Sequence, residues 1–193
     1  VPDRDDLSAL LPSSRRQALA AAVGRRLTRV ERLFSRSLEA FVRDTGRPES
    51  EYFSHNCGPA QLHFEEQLTH SLTVWPSQLS IIVLREPLAE QDEHRLVSLS
   101  ASGPAAPPLA ACLGQVCRDV RIWTLREEFP TEEAREVAVS YRLAGDVELF
   151  YSIYLHGDLD NDYLLLGADV PRDRVDTCVS LAQGAHIDRR GLP

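Results

Sequence analysis

Apolar side chains recur along the first quarter of the chain at Leu19, Val23, Leu27, Val30, Phe34, Leu38 and Phe41. Steps of three and four keep these positions on one face of a helix. With Ser13 and Ser14 as caps and Gly46 and Pro48 as stops, the pattern predicts a long amphipathic helix over residues 14–44. Gly24, which costs about 1 kcal/mol relative to alanine inside a helix, is the point where it could divide. A second helix is predicted over 59–70, with Pro59 in the first turn, where its missing N–H costs nothing.

Beyond residue 78 the period changes to two. Strands are predicted over 79–85, 95–100, 120–128, 135–143, 147–155 and 162–167. Ala144-Gly145-Asp146 reads as a tight hairpin turn and residues 156–161 as a longer one, so the strands they join are antiparallel. A Pro/Ala breaker at 102–108 precedes a short predicted helix over 109–117. A last helix over 170–183 is predicted from Asp169 as cap and Pro171 in the first turn. The expectation is α+β: one domain over 1–193, with a single antiparallel sheet of five to six strands spanning 79–167 and helices on one of its faces.

Charge changes this picture more than composition does. Every one of the 21 basic side chains is arginine, and methionine is absent as well. Without lysine the chain has no Schiff-base amine and no lysine to clamp a nucleotide phosphate. Asparagine is scarce too, at Asn56 and Asn161, as a GC-rich coding sequence would leave it. Residues 13–43 carry a net charge of +6, which leaves −14 for the remainder of a chain of net −8. That acidity argues against a general nucleic-acid binder. The basic stretch makes Arg25, Arg26, Arg29, Arg32 and Arg36 the candidate binding face, because a planar guanidinium pairs bidentately with carboxylates and phosphates.

Four cysteines (Cys57, Cys112, Cys117 and Cys178) stand at scattered spacings without a CxxC pair. They read as reduced and mostly buried thiols, which suits a cytoplasmic protein. No run of 18 apolar residues is present to span a membrane. The segment His55-Asn56-Cys57-Gly58-Pro59-Ala60 would set Cys57 at the mouth of the second helix, where the positive end of the helix dipole favours a thiolate. Its Cys-Gly-Pro-Ala stretch resembles the nucleophile segment of papain-like cysteine peptidases. The resemblance implies Cys57 as nucleophile, His156 as general base and Asp169 as its orienting carboxylate. The family's oxyanion glutamine, six residues before the cysteine, is here Glu51.

Other constellations carry less. His63 and His70 lie seven apart, two helical turns rather than the three or four residues that zinc ligands on a helix require. Asp158, Asp160 and Asp162 alternate as in a calcium loop, with Asp169 in the twelfth position, but Tyr163 stands where that loop needs glycine. No metal and no cofactor is expected. Trp123, Tyr141, Phe150, Tyr151 and Tyr154 read as core aromatics of the sheet. The function expected is a noncatalytic α+β module that engages a protein partner or a small ligand, as an assembly or adaptor subunit and with a homodimer compatible. The alternative is the Cys57 hydrolase.

Overall fold

The computed structural model describes residues 7–75, 79–90, 93–100, 108–125, 135–153, 162–167, 175, 177–182 and 186–188. Among them strands dominate, in two antiparallel sheets rather than one. The first contains β1 (Leu27–Phe34), β2 (Ala60–Phe64), β3 (Thr69–Trp75), β4 (Ser80–Leu84) and β5 (Arg95–Ser98), in the order β4-β3-β2-β1-β5. The second contains β6 (Cys117–Leu125), β7 (Arg135–Leu143), β8 (Glu148–Ile153), β9 (Asp162–Leu166), β10 (Thr177–Ser180) and β11 (His186–Asp188), in the order β11-β10-β6-β7-β8-β9. Helices are short: α1 (Arg16–Ala20), α2 (Leu38–Thr45) and α3 (Tyr52–His55), with 3-10 turns at Pro12–Arg15, Glu49–Glu51 and Pro108–Cys112. The α+β class holds in this coarse form, and all six predicted strands are present.

The long N-terminal helix is overturned. α1 ends at a turn before Gly24, which takes a φ of 87° and donates its N–H to the Cys117 carbonyl. After Arg25 and Arg26 the next eight residues form β1, paired with β2 on one side and β5 on the other. Two features made a strand look helical. A bulge between Leu27 and Arg29 supplies an extra residue, so the three-residue step from Leu27 to Val30 still leaves both buried. Between Val30 and Phe34 the inward position is filled by a charge, Arg32, which hides the alternation. Only α2 survives from the predicted 14–44 helix with good helical chemistry. Ser37 Oγ accepts from the Ala40 N–H at its start, and Gly46, at φ 68°, closes its end.

The predicted helix over 59–70 is likewise a hairpin of β2 and β3. Its alternation is plain in retrospect: Ala60, Leu62 and Phe64 face the core, while Gln61 and His63 face away. The turn between the strands places Glu66 and Gln67 at positive φ, a conformation usually advertised by asparagine or glycine. The short helix expected over 109–117 is a 3-10 turn that stops at Cys112, and Cys117 opens β6. Of the predicted C-terminal helix over 170–183, residues 177–180 form β10, which pairs with β6. Its proposed cap Asp169 and Pro171 lie outside the described residues.

One cluster of buried side chains draws on both sheets. Val30, Leu62, Leu72, Ile81 and Val83 come from the first, and Val120, Ile122, Val139, Tyr141 and Leu164 from the second. Each fully buried Leu, Ile or Phe in such a core stabilises the fold by about 1.5–3 kcal/mol. Trp123, Tyr141, Phe150 and Tyr151 are buried as expected, while Tyr154 lies outside the described residues. Because β4 and β5 are opposite edges of the first sheet, the chain between them must cross that sheet. It does so over the outer face, where the Leu88 N–H donates to Gln61 Oε1. No helix among the described residues is long and apolar enough to cross a membrane.

Candidate functional site

The five candidate arginines occupy β1 and its flanks, so they alternate between faces instead of lining one. Arg25 and Arg26 pair with Glu66 and Glu65 of the β2–β3 turn, at 2.8 and 3.3 Å. Arg29 lies on the outer sheet face, 3.5 Å from Glu31 and 3.3 Å from His63 Nε2. Arg32 points inward and is fully buried. Arg36 follows the strand and is exposed, and its carbonyl accepts from the Tyr52 hydroxyl and the Asn56 amide.

Arg32 is the centre of a buried lock. Its guanidinium donates to Asp162 Oδ2 at 2.8 Å, to the Phe53 and Ser54 carbonyls of α3, and twice to the Gly58 carbonyl. Asp162 also accepts from the Tyr151 hydroxyl at 2.6 Å and from the Gly58 N–H at 2.9 Å. Every bond is charge-assisted, which is the arrangement a buried pair needs to offset the loss of water. The lock ties β1 of one sheet to β9 of the other and fastens α3 beside both.

Cys57 stands against this lock. It follows the C-terminal end of α3 and leads into β2, so it stands at a strand and not at the start of a helix. Burial raises the thiol pKa above its ordinary value, and the Asp162 carboxylate raises it further, outweighing Arg32 and Arg36. Cys112 and Cys117 are buried deeper still, and burial pushes each to about 12. His156 and Asp169, the implied partners of Cys57, lie outside the described residues, as do Asp158 and Asp160.

A polar network covers the outer face of the first sheet. The register sets Ser98, Glu31, Gln61 and Ser71 in one rung across four strands, and Arg29, His63 and Thr69 in the next. Glu31 accepts from the Ser98 hydroxyl at 2.8 Å and lies 2.7 Å from His63 Nε2, while His63 Nδ1 lies 3.1 Å from Thr69 Oγ1. Burial alone would raise the Glu31 pKa. The Ser98 and His63 hydrogen bonds and the charge of Arg29 win, and hold it below the ordinary carboxylate value. These partners saturate one another, so the network reads as cross-strand cement. His55, His63 and His70 are separated among α3, β2 and β3, and among the described residues no group of three His, Cys, Asp or Glu side chains is placed to hold a metal ion.

Among the described residues, a cleft of about 370 Å³ lies between α3, β9 and the Pro108–Cys112 turn. One wall is polar. Arg47, Glu51 and His55 recur every four residues, with Ser50 and Ser54 beside them. Arg47 NH1 meets Glu51 Oε2 at 2.6 Å, and His55 Nδ1 lies 3.7 Å from the same oxygen. The other wall is apolar, built from Pro108, Leu109, Leu165 and Leu166. The His55 ring stands edge-on to Tyr163 at 5.5 Å, and the α3 carbonyls beneath it are held by Arg32. Sequence reading passed over this wall, though part of its signal was present: Glu51 and His55 stand four apart across the short helical stretch that runs from Glu49 to His55, and Arg47 stands just ahead of its Pro48 cap. The apolar wall, which comes from residues more than fifty positions away, left no local sign. Compared with known protein families, with characterised proteins and with solved structures, the chain matches none.

Proposed function

We propose that the chain is a noncatalytic binding module that takes a small ligand in the cleft between α3, β9 and the Pro108–Cys112 turn. The observation that carries this reading is the cleft's lining of two unlike kinds, polar side chains from residues 47–55 and apolar ones from Pro108, Leu109, Leu165 and Leu166, with α3 held by Arg32. Its volume of about 370 Å³ falls within the range of small-molecule sites, which are largely preformed and combine apolar lining with a few placed polar groups. A cytoplasmic setting, in keeping with four cysteines that form no disulfide, belongs to the same proposal.

The arginine set supports a partner-binding role less well, because Arg25, Arg26, Arg29 and Arg32 are each engaged by a carboxylate of the chain itself. The hydrolase reading is weakened by a thiol pKa that is raised where a nucleophile needs it lowered. The test is an amide NMR screen of a fragment library against the full chain and against Ser50→Trp, which fills the cleft from its polar wall. Shifts gathered at residues 47–55, 108–109 and 165–166, and lost in the variant, are expected. Shifts scattered over the surface, or unchanged in Ser50→Trp, overturn the proposal. Faster labelling of Cys57 than of free cysteine by a thiol probe at neutral pH would favour the hydrolase instead.

A further inference from the structure

The charges around the cleft narrow what it can hold. Arg47 and Glu51 cancel, so the wall is neutral when the His55 imidazole is neutral and +1 when it is protonated; no second carboxylate lines it. A cation would have to share Glu51 with Arg47 and, once His55 is protonated, would meet a wall of net positive charge. An anion has a partner, because Glu51 engages Arg47 only at NH1, and a guanidinium presents a second edge, Nε with NH2, in the fork geometry that matches a carboxylate. Ser50 and Ser54 add hydroxyl donors on the same wall. The rest of the lining, Pro108, Leu109, Leu165 and Leu166, offers apolar side chains.

Resting on the binding reading above, we infer that the ligand is a small organic carboxylate with a compact apolar body, its carboxylate on the Nε/NH2 edge of Arg47 and its body against Leu109, Leu165 and Leu166. Arg47 then bridges two carboxylates, one from Glu51 and one from the ligand. The 2.6 Å contact with Glu51 also holds the Arg47 guanidinium in place before the ligand arrives, which lowers the entropy lost on binding. Binding is expected to weaken with added salt, since the Arg47 side chain is 46% exposed.

The test uses three probes of one shape: 3-methylbutanoate, its primary amide and 3-methylbutylamine. Each is titrated into the full chain at neutral pH while the amide shifts of residues 47–55 and 165–166 are followed. The carboxylate is expected to bind about tenfold more tightly than the amide, the margin of a charge-assisted over a neutral hydrogen-bonded contact. Arg47→Gln should erase that preference and leave the weak amide binding. Glu51→Gln should strengthen carboxylate binding by freeing Arg47, a gain that a purely structural role for Arg47 would not produce. Equal binding of acid and amide, or tighter binding of the amine, overturns the carboxylate assignment while leaving the cleft as a site. If none of the three probes, and no member of the fragment library, moves the cleft residues, the binding reading falls and this one with it.

Discussion

His70 shows how a buried side chain states its own protonation. Its Nε2 lies 3.0 Å from the Ala18 carbonyl, which can only accept, so that nitrogen carries the proton; Nδ1, 2.9 Å from the Tyr141 hydroxyl, accepts. The imidazole is thus neutral, and burial, helped by the charge of Arg25 and opposed by the Ala18 bond, lowers its pKa from 6.5 to about 4. The unfolded chain takes up a proton at His70 near pH 6.5 while the folded chain does not until about pH 4. This contribution is therefore complete above pH 6.5 and is lost as the pH falls through that window, by roughly 3 kcal/mol in all. Urea midpoints measured at intervals between pH 7 and pH 4 should fall less steeply in His70→Gln than in the parent; parallel curves would contradict this. The sequence displayed this histidine but not its environment. A histidine in T-H-S-L reads equally as an outward or an inward strand position, and only the partners from α1 and β7 decide.

At the level of elements, the strands from β4 to β9 were legible because they are short runs rich in aliphatic and aromatic residues, with a turn such as Ala144-Gly145-Asp146 between β7 and β8. The first third was not. A bulge, an inward arginine and a turn built on Glu66 and Gln67 each remove the local signal on which a strand is recognised. The peptidase resemblance failed to convey its structural setting for a related reason: Gly58 follows the cysteine because of close packing. It takes a φ of 153°, and a Cβ there would stand 2.1 Å from the Leu33 carbonyl oxygen, while its own N–H and carbonyl serve Asp162 and Arg32. Gly58→Ala must push β1 away from the loop that leads into β2. A loss of about 1–3 kcal/mol, as for other overpacked sites, is expected in denaturant unfolding. No loss would mean that the loop yields freely and that the lock does not depend on its present path.

Across the whole molecule, two sheets share one core and one buried ion pair, so they should unfold together. The two tryptophans are placed to report on this, Trp75 at the end of β3 and Trp123 within β6. Fluorescence midpoints of Trp75→Phe and Trp123→Phe, each corrected for its own stability change, should coincide with the circular dichroism transition. Asp162→Asn, which strands the Arg32 charge, should lower both by the same amount, about 3–5 kcal/mol. A shift seen by one tryptophan alone would show that the sheets are independent units and that the lock is local. This level of organisation was the least legible in the sequence. The Pro/Ala stretch at 102–108 does mark the boundary between the two sheets, but nothing in the spacing of apolar residues tells one sheet from two.

The lock also sets an order of events during synthesis. Arg32 lies in β1, yet Asp162 follows 130 residues later, and β5, the other neighbour of β1, pairs with it across an interval of more than sixty residues. Loop closures this long delay folding. A nascent chain therefore carries the Arg32 cation without its carboxylate until β9 has been made, and fragments that end before β9 leave that charge stranded at the heart of the future core.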